Sequence, residues 1–147
     1  MLGKGGIMTN KEIAESLKEL VKLYSDSTWN YERALDQIQD EDLRKDLVEL
    51  HDEHLEHMDN LNNYIKQLGE RIPQYEYTGE MSAELTTITN DMSDEEIINS
   101  LRKNEKVLSE KLENIVEDIQ IPEIAHDLEE DIDDENIYID TLKDYLD

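Results

Sequence analysis

Between Leu43 and Leu68 the chain keeps an unbroken seam at alternating four- and three-residue steps: Leu43, Leu47, Leu50, His54, His57, Leu61, Tyr64, Leu68. That period winds onto one stripe of an α-helix, and a stripe so apolar is stable only when other helices cover it. The two members at its midpoint are histidines. Residues three apart sit side by side on a helix, so both imidazoles point into the middle of whatever packs against them. What the rest of the chain brings to that depth decides whether the pair is a buried hydrogen-bonded feature or a metal site.

The composition supplies partners of the same kind. Phe is absent and Pro occurs only 2 times, while 39 Asp and Glu stand against 14 Lys and Arg for a formal net charge of −25. At 147 residues this is the length of one helical domain with a sound core. A surface so acidic repels nucleic acid and anionic membranes and attracts cations, but it also serves solubility alone. With no cysteine, thiolate metal sites, disulfides and cysteine nucleophiles are excluded. Residues 1–8, MLGKGGIM, read as a disordered glycine-rich lead-in, with Met8 a second candidate start. They carry neither the apolar core nor the cleavage pattern of a signal peptide, so a cytoplasmic location is expected.

Residues 9–147 read as a single all-α domain. Thr9 with Glu12 forms a capping box, opening a first helix over about residues 10–39 whose seam runs Ile13, Leu17, Leu20, Tyr24, Ser27 or Thr28, Tyr31, Leu35, Ile38. Asp40 and Asp42 cap the second helix, which Gly69 should end. Residues 70–92 hold a Pro, a Gly and no sustained stripe, although Ala83–Ile88 is long enough for a turn or two of helix. A loop of this length inside a compact domain needs a geometric reason. Helices of about 25–29 residues are about 40 Å long, and roughly 23 connecting residues can run that distance, which sets the third helix parallel to the second. Ser93 with Glu96 caps the third helix, ending near Asp118, with a seam of Ile97, Leu101, Glu105, Leu108, Leu112, Ile115, Ile119. Pro122 suits the first turn of the fourth, which reads Ile124, Leu128, Asp131 or Ile132, Glu135, Tyr138, Leu142, Tyr145.

Each helix therefore carries its polar seam residues near its own midpoint, and in a four-helix bundle midpoints meet. Two imidazoles and two carboxylates converging in one layer make a ligand set suited to iron, manganese or zinc. A buried glutamate needs a partner in any case. A metal, a proton shared with histidine and a Glu–His hydrogen-bonded network would each serve.

Four long helices, a long crossover and an ionisable layer at mid-depth resemble the ferritin-like superfamily, above all its rubrerythrin-type members. That family's ligands are a Glu on the first helix, Glu-x-x-His on the second, a Glu on the third and Glu-x-x-His on the fourth. On that pattern His57 matches the second-helix histidine, Glu105 the third-helix glutamate and Glu135 the fourth-helix glutamate. His54, Tyr138 and Tyr24 stand where a bridging glutamate, a histidine and a glutamate belong. The resemblance thus implies a mononuclear site of His54, His57, Glu105 and Glu135 in place of a dinuclear one. It implies iron, with manganese or zinc as substitutes, and redox chemistry on oxygen or peroxide without a rubredoxin-like electron inlet. The competing expectation is a metal-free scaffold serving as a structural or interaction module, and a helical homodimer suits either.

The remaining signals are plainer. His51 lies a step off the seam with Asp52, Glu53 and Glu56 on a flanking face, from which Glu53 is one turn from His57 and a substitute ligand. His126 is expected exposed, Trp29 covered by the crossover or an interface, and the tyrosines core fillers. The acidic run Glu129, Glu130, Asp131, Asp133, Asp134 lacks the spacing and glycine of a calcium loop and reads as a solvated helix face.

Overall fold

The computed structural model describes residues 7–74 and 81–146. Four helices follow in order, α1 (Asn10–Leu35), α2 (Glu41–Gln67), α3 (Asp94–Val116) and α4 (Pro122–Lys143), and no strand occurs among the described residues. The chain is an all-α four-helix bundle with a long crossover between α2 and α3. None of these helices is long and apolar enough to cross a membrane. The lead-in expected over 1–8 falls largely on residues 1–6, outside the described residues.

Helix starts follow the sequence closely because each has its chemistry in place. Both capping boxes form, with Glu12 N–H donating to Thr9 Oγ1 and Glu96 N–H to Ser93 Oγ, each at 3.1 Å. Asp40 accepts from Leu43 N–H at 2.8 Å, and Pro122 begins α4 where its missing N–H costs nothing. Ends come earlier than expected. Helix α1 stops at Leu35 rather than near 39, because Arg44 reaches back from α2 and donates to the Leu35 and Ile38 carbonyls. Helix α2 ends in a Schellman motif. Gly69 takes φ +84° as Glu70 N–H bonds to Ile65 O at 3.1 Å and Gly69 N–H to Lys66 O at 3.0 Å.

Two apolar clusters fix the helix directions. One joins the start of α1 (Ile13, Leu17, Leu20) to the ends of α2 (Leu61, Ile65) and α3 (Leu112, Ile115) and the start of α4 (Ile124, Leu128). The other joins the end of α1 (Tyr31, Ala34) to the starts of α2 (Leu43, Leu47) and α3 (Ile97, Leu101) and the end of α4 (Leu142). Hence α1 is antiparallel to α2, α3 is antiparallel to α4, and α2 and α3 run parallel, as the length of the crossover requires. Leu85 packs in the first cluster and Ile88 in the second, so the crossover lies along the bundle.

Over 83–88 the crossover is a single turn closed by Leu85 N–H to Ser82 O at 3.0 Å, not the short helix the sequence allowed. Side chains of α1 and α3 take its backbone bonds instead. Asn30 donates to Thr86 O at 3.1 Å and accepts from Ile88 N–H at 2.9 Å. Asn104 accepts from Thr86 N–H at 2.7 Å and donates to Thr86 O at 2.8 Å, and Asp26 accepts from Ser82 N–H at 3.0 Å. These three polar residues are buried because the extended segment needs them.

Candidate metal centre

Between the two apolar clusters lies the polar layer. His54, Glu105 and Glu135 are all 0 % exposed, and each offers a ligand atom within 4.8 Å of the others. The α2 seam presents His54, the α3 seam Glu105 and the α4 seam Glu135, since the parallel α2–α3 arrangement brings their midpoints to one depth. His54 Nε2 lies 2.9 and 3.1 Å from the two oxygens of Glu105 and 3.7 Å from Glu135 Oε1. Its other nitrogen, Nδ1, faces the Leu50 carbonyl at 2.5 Å. A carbonyl only accepts, so Nδ1 carries the proton and Nε2 is the atom aimed at the carboxylates. Metal-binding histidines are oriented this way, their second nitrogen fixed by a backbone or carboxylate acceptor.

Tyrosines close the layer. Tyr31 donates to Glu105 Oε1 at 2.9 Å and Tyr24 to Glu135 Oε1 at 3.1 Å, and the rings of Tyr24, Tyr31 and Tyr138 surround His54 at centroid distances of 5.2–5.3 Å. Burial, reinforced by the adjacent carboxylates, drives the Tyr24 and Tyr31 phenols well above their ordinary pKa, so both remain donors.

The two carboxyls diverge. For Glu105, burial pushes upward, but the His54 charge and hydrogen bonds from Glu135, His54 and Tyr31 outweigh it and hold the group below the usual carboxylate range. For Glu135, burial and the neighbouring Glu105 act together and push it well above that range. The layer is thus built around one ionised and one protonated carboxyl, as a close buried pair requires. With both ionised, Glu135 Oε2 is buried without a donor. A proton shared with Glu105 or a cation would satisfy it.

His57 belongs to a second group. Of the four residues expected in one site, three gather, and His57 instead joins Asp131 and Asp134. Its Nδ1 stands 3.0 Å from Asp131 Oδ1, yet off the line of a hydrogen bond, and its Nε2 lies 3.1 Å from the Tyr138 hydroxyl. Burial pulls the His57 pKa down, but Asp131, Asp134 and Glu53 more than offset this and the net shift is upward. Burial raises Glu53 and Asp134 above ordinary carboxylates, reinforced for Glu53 by the Asp134 charge and for Asp134 by Asp131, Glu130 and Asp133. The sequence reading placed Asp131 on a solvated face. In the fold it is 8 % exposed, because the α4 seam passes through Asp131 rather than Ile132. The seam alternative at that position, one turn before Glu135, was the available signal.

The other histidines stay outside. His51 is half-buried and bonds to Glu32 at 2.9 Å and Asp52 at 3.1 Å, while His126 is exposed beside Glu130. Trp29 is half-buried with the Arg33 guanidinium 5.2 Å over its ring, and Glu53 is exposed rather than turned into the core layer.

No curated protein and no solved structure matches the chain. Residues 12–118, spanning α1 to α3 and the crossover, match the family described as Domain of unknown function (DUF2383), and the chain belongs to that family.

Proposed function

We propose that this protein is a ferritin-like, rubrerythrin-like metal-binding bundle that holds one transition-metal ion between His54, Glu105 and Glu135. The observation that carries this reading is the orientation of His54. With Nδ1 fixed by the Leu50 carbonyl, Nε2 faces two fully buried carboxyls, one with an oxygen that has no donor. One imidazole nitrogen and carboxylate oxygens suit iron(II), manganese(II) or zinc(II). Binding would displace the proton held on Glu135, so affinity rises with pH. Iron there would supply redox chemistry with oxygen or peroxide. The chain's own residues supply the rest: Tyr24 and Tyr31 hold the carboxyl groups, Leu50 holds the imidazole, and the apolar clusters above and below exclude water.

Elemental analysis of purified protein by plasma mass spectrometry, before and after incubation with iron(II), tests this. The expected result is about one equivalent bound at this layer, lost in Glu105→Gln and His54→Gln. A specific observation favours the other reading, a metal-free scaffold: the layer neutralises itself when Glu135 is protonated and the His54 charge balances Glu105. Absence of any metal that depends on Glu105, with helical content intact, would establish that reading and sink the first.

A further inference from the structure

Where α2 and α4 face each other, the surface opens into a cleft of about 180 Å³ lined by Asp46, Glu49, Glu53, Asp134, Tyr138 and Thr141. Its polar lining is mostly carboxylate, with no basic residue among the lining groups. Tyr138 and Asp134 at the cleft wall both approach His57, which is 7 % exposed.

The His57 ring is oriented from behind. Its Nε2 meets the Tyr138 hydroxyl at 3.1 Å, and Tyr138 is in turn a hydrogen-bond partner of Glu53. A phenol that donates to a carboxylate accepts from an N–H, so Nε2 carries a proton and Nδ1 is the nitrogen left to meet a ligand. That Nδ1 is buried and has no hydrogen-bond partner, although Asp131 Oδ1 is only 3.0 Å away. Two such atoms so close call for a positive charge between them, which a proton on the ring supplies in the metal-free protein and a divalent cation can supply in its place. Asp134, 43 % exposed, brings Oδ2 to 3.6 Å from the other ring nitrogen, Nε2, and a ligand atom from each of the three residues lies within 4.8 Å of the others, with a face open to water at Asp134.

We propose that His57, Asp131 and Asp134 form a second divalent-cation site, between the acidic cleft and the protein interior, distinct from the His54–Glu105–Glu135 layer. One imidazole nitrogen and two carboxylates, with remaining positions taken by water, suit manganese(II), iron(II) or zinc(II). Open coordination makes this the exchangeable site of the two. The acidic cleft concentrates cations at its mouth. The site shares no ligand with the core layer, so either can exist without the other.

Manganese(II) is the probe, followed by electron paramagnetic resonance of the free ion. It is titrated into metal-free protein in 0.15 M salt with excess magnesium to suppress diffuse binding to the acidic surface. Wild type should take up two equivalents. Asp134→Asn, at a partly exposed position that leaves the core packed, should weaken one of them at least tenfold, and Asp131→Asn the same one. Glu105→Gln should remove the other and leave the Asp134-dependent equivalent in place. Superimposable wild-type and Asp134→Asn titrations would overturn the proposal while leaving the core reading untouched. Loss of both equivalents in either variant, with helical content retained, would mean one shared centre and overturn it equally. A single equivalent that depends on Asp134 and ignores Glu105 would uphold this site and remove the core one.

Discussion

Two regions of this bundle bury polar side chains, and they are satisfied to different degrees. Around the crossover, Asn30 and Asn104 are 0 % and 1 % exposed, and their amide groups meet backbone groups of Thr86 and Ile88 at hydrogen-bonding distance. In the mid-depth layer, Glu135 Oε2 and His57 Nδ1 are buried without an aligned hydrogen-bond partner, and neutrality depends on where protons sit. Saturated polar groups hold a fold together, whereas unsaturated ones keep room for a ligand. The asparagines are accordingly structural, and the His–carboxylate groups are the places where chemistry is expected.

The largest effect should come from breaking the saturated region. Asn30→Ala strands the Ile88 N–H and Asn104→Ala the Thr86 N–H, each costing roughly 1–3 kcal/mol. Thr86 O accepts from both asparagines, so either single variant leaves it a donor. The double variant removes both. Its loss should exceed the sum of the singles by about a further 1–3 kcal/mol. Denaturation midpoints measure this, and strict additivity would show that the shared carbonyl finds another donor. Metal content per folded protein should not change in the single variants.

The unsaturated layer can be dissected with its tyrosines. Tyr31 donates to Glu105, the carboxyl held below its usual range, and Tyr24 to Glu135, the one pushed above it. A hydrogen bond to a charged group is worth about 1.5–3 kcal/mol and one to a neutral group about 0.5–1.5 kcal/mol. At neutral pH, metal-free Tyr31→Phe should therefore lose more stability than Tyr24→Phe. Equal losses would contradict the assignment of ionised and protonated carboxyls.

How much of this was legible in the sequence depends on period. The bundle and the convergence of His54, Glu105 and Glu135 follow from seams that count in threes and fours, because one-dimensional spacing fixes both helix face and depth; the caps follow from the Thr9–Glu12 and Ser93–Glu96 pairs, and the parallel α2–α3 arrangement from the length of the crossover. What escaped rests on rotation about the helix axis and on contacts with irregular chain. His57, one step along from His54, turns toward Asp131 rather than Glu105, and a seam read as a line does not show which neighbouring helix each member faces. Asn30 and Asn104 were invisible for a related reason. Their partners are backbone groups of a segment with no periodicity of its own, though Leu23, Asp26 and Asn30 do trace a second stripe beside the α1 seam.

A residue at the entry to the crossover offers an intermediate effect. Gly69 sits where α2 gives way to the crossover, at φ +84°, and a Cβ there would meet nothing within 4 Å. Gly69→Ala is therefore opposed by backbone conformation alone, and should cost about 1–2 kcal/mol. A fall in the denaturation midpoint with unchanged metal binding is the expected pair of readings. A loss of metal would tie the crossover's entry to the layer.

The smallest effect should come from His51, which shares α2 with His54 and His57 but lies outside both groups. Burial lowers its pKa, and hydrogen bonds to Glu32 and Asp52 then raise it to a net value above the ordinary histidine range. A histidine whose folded pKa exceeds its unfolded value of about 6.5 binds its proton more tightly in the folded state. The stabilisation is complete below that unfolded value and disappears as pH rises through the folded one. Glu32 and Asp52 are largely solvent-exposed, so screening limits the gain to under about 1 kcal/mol. Comparing His51→Asn with wild type in metal-free protein, the stability difference should be greatest near pH 6, shrink toward pH 8 and diminish further in high salt. A difference independent of pH would assign His51 to packing. A difference that grew with pH would reverse the sign of the proton linkage and show that Glu32 and Asp52 do not favour the charged ring.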